Sequence, residues 1–424
     1  MRVVCSSNVD VKPIRDGATF CLYGSPSAAG VGRVGASIPG AVRRARLAPD
    51  PQAWDFLSFG LGVIAADQSV RRSHSPDGWT RVIDLEVSLA APQNWTPHAQ
   101  SLAEALRFLT GDIWSVGFTS DGLPPPTPMR RTRRSSAALD GDMVALLSGG
   151  ADSLVGAIDI VSQGGHPVFV SQVALGDTDR QRRFATAVNP DGAHLQLTHA
   201  ARPVGPAERS QRARSIAFLA YGLLAASSLP GFGGSVPIKL IVPENGLISM
   251  NVPLTNIRVG SLSTRTTHPH FIAMVQRVWD AVGFSVTIEN PYQFSTKGEL
   301  LRGCTRQDLL KKLVFESTSC GRFGRYGYEH CGRCVPCIVR RAAIHDWGVR
   351  DTTKYRYATL RSQRAFDDVR SLGMAYLSVQ KDGVERWSAG ALSALELTDP
   401  VPYCQTVERG IDEVGRFLKA MRAL

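Results

Sequence analysis

The sequence predicts an α/β protein: a parallel sheet with helices on both faces, carrying a cysteine knuckle, and preceded by an N-terminal α+β accessory domain. Three observations predict it. The apolar run from Val144 to Leu147 enters Ser148-Gly149-Gly150-Ala151-Asp152-Ser153, and a segment with Leu154, Ala157, Ile158 and Val161 at helical spacing leaves it. That order reads as buried strand, glycine turn and helix start. Gly164-Gly165 ends the helix and 166–173 is a second apolar run, which completes the strand–helix–strand unit of a parallel sheet. Four of the eight cysteines fall between positions 320 and 337.

The chain has 424 residues, enough for two or three domains. No apolar run approaches the roughly 20 residues that span a bilayer. The start, Met1-Arg-Val-Val-Cys5, lacks the apolar core and small-residue cleavage site of a signal peptide, so a cytoplasmic protein without membrane contact is expected. The net charge of +11 suits an anionic ligand. Its arginines are spread along the chain, the pattern of a solvated surface, so nucleic acid is a secondary expectation.

Residues 1–128 read as the accessory domain. Short β-type runs at 8–11, 18–23 and 79–89 alternate with turn signals; in the last, Asp84, Glu86 and Ser88 sit between apolar neighbours, as in a half-buried strand. Residues 56–66 predict a helix interrupted at Gly60 and Gly62. Residues 96–109 predict a cleaner one, with Leu102, Leu106 and Leu109 on one face and Thr96-Pro97 as its cap. Residues 114–119 are a further strand. Asp84, Glu86 and Asp112 read as surface carboxylates rather than an acidic site. Pro124–Pro128 marks a stiff boundary. The linker 129–138 follows with Arg130, Arg131, Arg133 and Arg134, a basic run that is ordinarily solvated and could alternatively contact phosphate.

The core, 139–350, is organised around the glycine turn. Glycines let the backbone bend and approach a ligand, and the free N–H groups of a helix N-terminus point at an anion. Ser148 and Ser153 add hydroxyl donors. Asp152 would repel phosphate unless a cation lay between them, which suggests Mg2+. The turn is neither GxxxxGK[ST] nor GxGxxG. Further strands are expected at 194–198, 239–242 and 285–288, and helices at 179–188 and 216–224. Residues 174–178 are a candidate wall for a base. Arg212 and Arg214 stand at the N-terminus of the 216–224 helix, where the dipole disfavours cations, so they are candidates for phosphate or a substrate carboxylate, against exposed arginines in a polar loop. Glu244 and Asn245 follow a strand directly, placed to read a polar ligand.

Cys320, Cys331, Cys334 and Cys337 form the second strong signal. Two CxxC steps share a cysteine and place three thiolates on one turn; the fourth closes a tetrahedron. This donor set suits structural Zn2+ with no open position, and an iron–sulfur cluster is the alternative. His330 could substitute as a ligand or be exposed. The extension 351–424 reads as mostly helical, with Ile411, Val414, Phe417, Leu418 and Met421 as a packing stripe.

SGGxDS resembles the pyrophosphate loop of the PP-loop ATP-pyrophosphatase superfamily (adenine nucleotide alpha hydrolase-like). Together with the downstream cysteines and Arg340, it resembles the QueC family of 7-cyano-7-deazaguanine synthases over residues 140–350. Arg214-Ser215-Ile216 is similar to that family's Arg-Asn-Ile helix start, with Ser in place of Asn. Asn290-Pro291 with Thr296-Lys297-Gly298-Glu299 is similar to its Pro…Lys-x-Glu segment, whereas 261–270 match poorly. The resemblance implies a ligase that uses ATP, Mg2+ and Zn2+ to adenylate a deazaguanine-type carboxylate, for attack by ammonia or an amine on a partner protein. It implies nucleotide contacts at Leu147, Ser148, Gly149, Gly150, Asp152, Ser153, Glu244 and Asn245, and catalytic roles for Asp152, Lys297 and Arg214. The extra N-terminal and C-terminal lengths resemble the longer QueC-like proteins of Qat-type bacterial anti-phage defence systems. A tRNA-thiolating enzyme and an ATP-sensing subunit without catalysis are the alternatives.

Overall fold

The computed structural model describes residues 1–129, 139–173, 176–208, 212–254, 265–363, 365–392 and 399–424. The linker arginines, 174–175 of the expected base wall, and 261–264 lie outside these residues.

The N-terminal unit comprises β1 (Arg2–Ser6), β2 (Gly17–Leu22), β3 (Gly32–Val34), α1 (Ile38–Ala45), α2 (Pro51–Ser69), β4 (Val82–Leu89), α3 (Ala99–Thr110) and β5 (Ile113–Ser120). Its strand order is β3-β2-β1-β4-β5 and every pairing is parallel. This corrects the expected α+β arrangement: the unit is α/β. Asp84 on β4 is exposed and Glu86 half-buried, and they pair laterally with Arg2 and Val4 of β1 on a polar face, where Arg2 bonds Glu86 at 2.8 Å. A parallel sheet ordinarily reads as continuous apolar runs because both faces are covered. With one face polar, the strand alternates like an antiparallel one.

Helix α2 is buried along its whole length from Ala53 to Gln68. It has no polar face because it lies between the first sheet and α6 (Arg214–Ala226) of the second. Asp50 caps it, accepting from Gln52 N–H at 2.8 Å. Gly60 and Gly62 do not interrupt it. A Cβ at Gly62 would stand 2.7 Å from Val87 Cγ2, so glycine here permits close approach to β4, while Gly60 backs onto α6. The expected Thr96 cap is also corrected: residues 96–98 form a separate 3-10 turn, and the Thr96 hydroxyl donates to Pro92 O.

Asp112 is not a surface carboxylate either. It is fully buried and pairs with Arg72 at 2.7 Å and Arg81 at 2.6 Å; Arg81 also pairs with Asp67 at 2.6 Å. The other oxygen of Asp67 accepts the N–H groups of Arg212 (2.9 Å) and Ala213 (3.0 Å), which ties the first unit to the start of α6.

The core comprises β6 (Met143–Leu146), α4 (Ala151–Ser162), β7 (Pro167–Gln172), α5 (Thr178–Val188), β8 (His194–Leu197), α6, β9 (Ile238–Ile241), α7 (Gly246–Met250), α8 (Pro269–Val282), β10 (Val286–Glu289), α9 (Lys297–Gly303), α10 (Gln307–Leu313) and α11 (Val335–Trp347). Its order is β10-β9-β6-β7-β8, again all parallel. Along β6 the faces alternate: Val144 and Leu146 join the apolar cluster shared with α6, α8 and the N-terminal unit, while Ala145 joins that of α4, α5 and α9–α11. Helices α12 (Asp367–Asp382), α13 (Val384–Leu392) and α14 (Val401–Ala420) pack through Ile411, Val414 and Phe417 against α7 and α11. Among the described residues no helix is long and apolar enough to cross a membrane.

Candidate active site and cysteine centre

From β6 the chain runs outward to β7 and β8, then crosses back to β9 and β10 on the other side. The carboxyl end of β6 is therefore the switch point, where open α/β sheets form a ligand crevice. The glycine turn lies there. Gly149 has φ +89°, a left-handed conformation that glycine adopts without strain. The hydroxyls of Ser148 and Ser153 are 3.0 Å apart, and Ser148 Oγ accepts from Gly150 N–H at 3.3 Å. Gly150 is the N-cap of α4 and supplies no side-chain cap, so the first-turn donors are left for a ligand. A cavity of about 190 Å3 opens there, lined by Ser148, Gly150, Asp152, Glu244, Lys297 and Ser319 among others. Leu147 contributes no side chain to this crevice. It is buried in the core; its N–H donates to Val170 O and its carbonyl accepts the Ser171 hydroxyl.

Asp152 and Lys297, 145 residues apart, meet in a buried ion pair. Asn245 Nδ2 donates to Asp152 at 2.7 Å and to Glu244 Oε1 at 3.1 Å, while its Oδ1 accepts Ile248 N–H and caps α7. Asn245 is fully buried, so it orients the two carboxyls instead of reading a ligand directly. Burial opposes ionisation of Asp152, but the Lys297 ammonium and the hydrogen bonds from Glu244 and Asn245 outweigh it and hold the carboxyl below its usual range. Glu244 is pushed well above the usual range by desolvation and by the Asp152 charge. The environments push two adjacent carboxyls apart, an arrangement suited to acid–base work or to binding a cation between them. Mg2+ fits here: it takes one or two carboxylates plus phosphate oxygens.

Lys297 is placed by a capping box, Thr296 with Glu299. Behind it, Glu413 of α14 bonds the Thr296 hydroxyl and accepts Gly298 N–H at 3.2 Å. The C-terminal extension thus holds the helix end that carries the lysine.

A second cavity, about 270 Å3, sits over the ends of β6, β7 and β9 with Gln172, Asp177, Arg214, Ser215 and Phe218 in its wall. Among the described residues, Gln172 Nε2 and Ser215 Oγ are buried there without a hydrogen-bond partner. Orphaned buried polar atoms facing a cavity fit a polar ligand such as a nucleoside. Arg214 stands in the wall of this cavity; Arg212 does not. Its guanidinium lies 4.3 Å from the Trp79 ring centroid and bonds Thr110 O at 3.4 Å, so it serves the seam with the N-terminal unit and the wall of a third cavity. That third cavity, about 400 Å3, is walled by Phe108 of α3, Arg265, Ile248, Pro336 and Trp387.

The four cysteine sulfurs lie within 4.8 Å of one another and are buried. Two pairs, Cys320–Cys334 and Cys331–Cys337, are 3.9 Å apart. A ZnS4 tetrahedron with bonds of about 2.3 Å has edges of about 3.8 Å, so the set fits zinc. The N–H groups of Arg322 and Cys331 donate to Cys320 Sγ at 3.4 and 3.3 Å, as they would to a thiolate. His330 is neither ligand nor exposed: it is buried, and its Nε2 accepts Ser319 N–H at 3.3 Å. The knuckle also reaches the glycine turn. Thr318 N–H donates to Gly149 O at 3.0 Å, and its hydroxyl bonds Arg180 and Asp177. Arg340, buried on α11, grips this approach through Ser317 at 2.6 Å and Val314 O at 2.8 Å. Sequence reading missed Thr318, Ser319 and Gln172. The polar run Ser317-Thr318-Ser319 beside a cysteine ligand was the available signal.

A 71-residue stretch of the chain is 35% identical to the 7-cyano-7-deazaguanine synthase of Rhizobium rhizogenes, covering 17% of this chain and 28% of that protein. The synthase of the same name from Porphyromonas gingivalis is 39% identical over 71 residues, 16% of this chain and 29% of its own. No family model and no solved structure matches. The chain thus spans less than a third of the length of these curated relatives, and over that part it is similar to 7-cyano-7-deazaguanine synthase.

Proposed function

We propose that the protein is an ATP-dependent adenylating ligase that activates a 7-carboxy-7-deazaguanine-type carboxylate as its acyl-AMP, for attack by a nitrogen nucleophile. The observation that carries the reading is the meeting of three cavities at the switch point. One holds the uncapped helix end beside Asp152 and Lys297, one the orphaned Gln172 and Ser215, and one mostly apolar walls with Arg265. These suit phosphate, nucleoside and a flat second substrate in turn. A carboxylate is a poor electrophile; joined to AMP it gains a good leaving group. The donors of Ser148, Ser153 and the α4 N-terminus suit the departing pyrophosphate, and Lys297 supplies charge to it. Asp152 and Glu244 would hold Mg2+, which supplies charge neutralisation on the phosphates. The four cysteines would hold Zn2+ as a structural ion.

The nucleophile is ammonia or an amine of a partner protein, and the long N-terminal and C-terminal additions suit a place among QueC-like proteins of bacterial anti-phage defence. Thiolation chemistry is disfavoured by Cys304, which lines none of the three cavities and whose thiol burial pushes up to about 12, far from a reactive thiolate.

The test is pyrophosphate release from ATP and Mg2+, with and without 7-carboxy-7-deazaguanine, in wild type and Asp152→Ala. Release that needs both the base and Asp152 is expected. Bound ATP with no release under either condition would leave a nucleotide sensor.

A further inference from the structure

We propose that Arg265 pairs with the carboxylate of the second substrate in the third cavity, so that the acid is taken in preference to uncharged molecules of the same shape. This rests on the adenylation reading above and names the residue that selects the group to be activated.

The cavity has the make-up of a site for a small apolar anion. At about 400 Å3 it is in the range of small-molecule pockets, and Leu247, Ile248, Pro336 and Trp387 give it apolar walls. Arg212 and Arg265 are its cations, and Glu244 is the one carboxyl among its lining residues.

The Arg265 side chain is partly buried. Its guanidinium lies 4.4 Å from the Phe108 ring centroid and donates to Phe108 O at 3.0 Å. Among the described residues no carboxylate, Glu244 included, stands within ion-pair distance of it, and burial pulls the guanidinium below its ordinary value with no acid to offset the effect. A guanidinium has five N–H donors in a planar fork, and one bond to a carbonyl leaves most of them. Withdrawing a cation from water without a counter-charge is costly. An anion brought by the ligand removes that cost, and a carboxylate matches the fork.

Arg265 is held from two sides. Its carbonyl accepts His268 N–H at 3.2 Å, which closes a turn before α8. Phe108 stands edge-on to His268 and His270, with ring centroids 5.0 and 4.8 Å apart, and this fixes the ring on which the guanidinium rests. Phe108 belongs to α3, so the N-terminal unit aims the arginine. The next residue, Thr266, lines both the second and the third cavity. A carboxylate held by Arg265 therefore lies beside the seam between the nucleoside cavity and the substrate cavity, where the acyl–phosphate bond has to form.

Arg265→Met removes the charge and keeps a long side chain; Arg265→Lys keeps the charge. Calorimetry on the full chain compares 7-carboxy-7-deazaguanine with its 7-carboxamide, which has the same shape without the charge, at about pH 7.5, where a carboxylic acid is ionised. ATP affinity and unfolding midpoint check the fold. We expect the wild type to prefer the acid, and Arg265→Met to bind it roughly 10- to 100-fold more weakly while its affinities for the carboxamide and ATP change by less than about twofold. Arg265→Lys should restore part of the preference. Phe108→Leu, which keeps the carbonyl and removes the ring, should lower it. A wild type that binds acid and carboxamide equally, or an Arg265→Met that weakens both alike or leaves the preference intact, overturns the assignment. Pyrophosphate release by the wild type separates this from the larger reading. Base-dependent release with an intact preference in Arg265→Met sinks the assignment alone. Absence of release overturns the adenylation reading, and the binding preference then still decides whether Arg265 is a carboxylate site.

Discussion

Lys297 and Asp152 show how one contact serves both stability and chemistry. Both are nearly fully buried, so removing either leaves a bare charge in the interior. Lys297→Met is expected to cost roughly 3–5 kcal/mol of stability, measured by urea unfolding. Adding Asp152→Asn should recover most of that loss without restoring pyrophosphate release, because the paired charges are then absent from the crevice. Three imidazoles make a separate case. Burial is the main cause that holds His194 and His199 down to about 4 and His268 to about 3, with neighbouring arginine charge adding to it. The unfolded value is about 6.5, so the unfolded chain binds more protons between those limits. The stability these neutral rings contribute is fully present above about pH 6.5 and is lost as pH falls towards the folded values. Ring-proton NMR shifts of the three that hold steady from about pH 8 down to 5.5 would agree; titration near 6.5 would refute it.

At the level of elements, what was legible was local. The β6–turn–α4 unit and the cysteine spacing each fall within a short window, and the geometry of each depends on its own residues. What was not legible depends on distant partners. Glu413 reaches Thr296 across 117 positions, so the stripe on α14 announced packing and nothing of its hold on α9. Gly60 and Gly62 read as helix breaks because the close strand and helix against α2 are invisible in its own sequence. Asp112 read as surface because its two arginine partners come from other turns of chain. The α9–α14 contact predicts a sensitive position. A Cβ at Gly298 would stand 2.5 Å from Glu413 Oε1 and 2.7 Å from Asp346 Oδ2. Gly298→Ala is therefore expected to cost about 1–3 kcal/mol of stability. Pyrophosphate release should slow as well, since the displaced helix end carries Lys297. Unchanged thermal unfolding and turnover would show that α14 does not position the lysine.

For the molecule as a whole, the cysteine knuckle and the N-terminal unit are both parts of the site's enclosure. The knuckle supplies Ser319 to the first cavity and Pro336 to the first and third, and is bonded to Gly149. Removing zinc with a chelator is expected to weaken ATP binding in calorimetry, with re-addition restoring it; undiminished affinity in metal-free protein would show the clip to be dispensable. The N-terminal unit contributes Phe108 to the third cavity and covers α6 with α2. Deleting residues 1–128 should expose Ala217 and Ala220 of α6, now fully buried, and yield an aggregating core by light scattering; a soluble, active core would overturn this.

Helix α2 also sets a problem in time. Its last residue leaves the ribosome about 145 residues before the first residue of α6. At about 5–20 residues per second, a helix apolar on every side waits roughly 7 to 30 seconds for the surface that will cover it. Throughout that interval the nascent chain carries a 19-residue adhesive rod, which makes this protein a natural client for whatever shields apolar segments during synthesis.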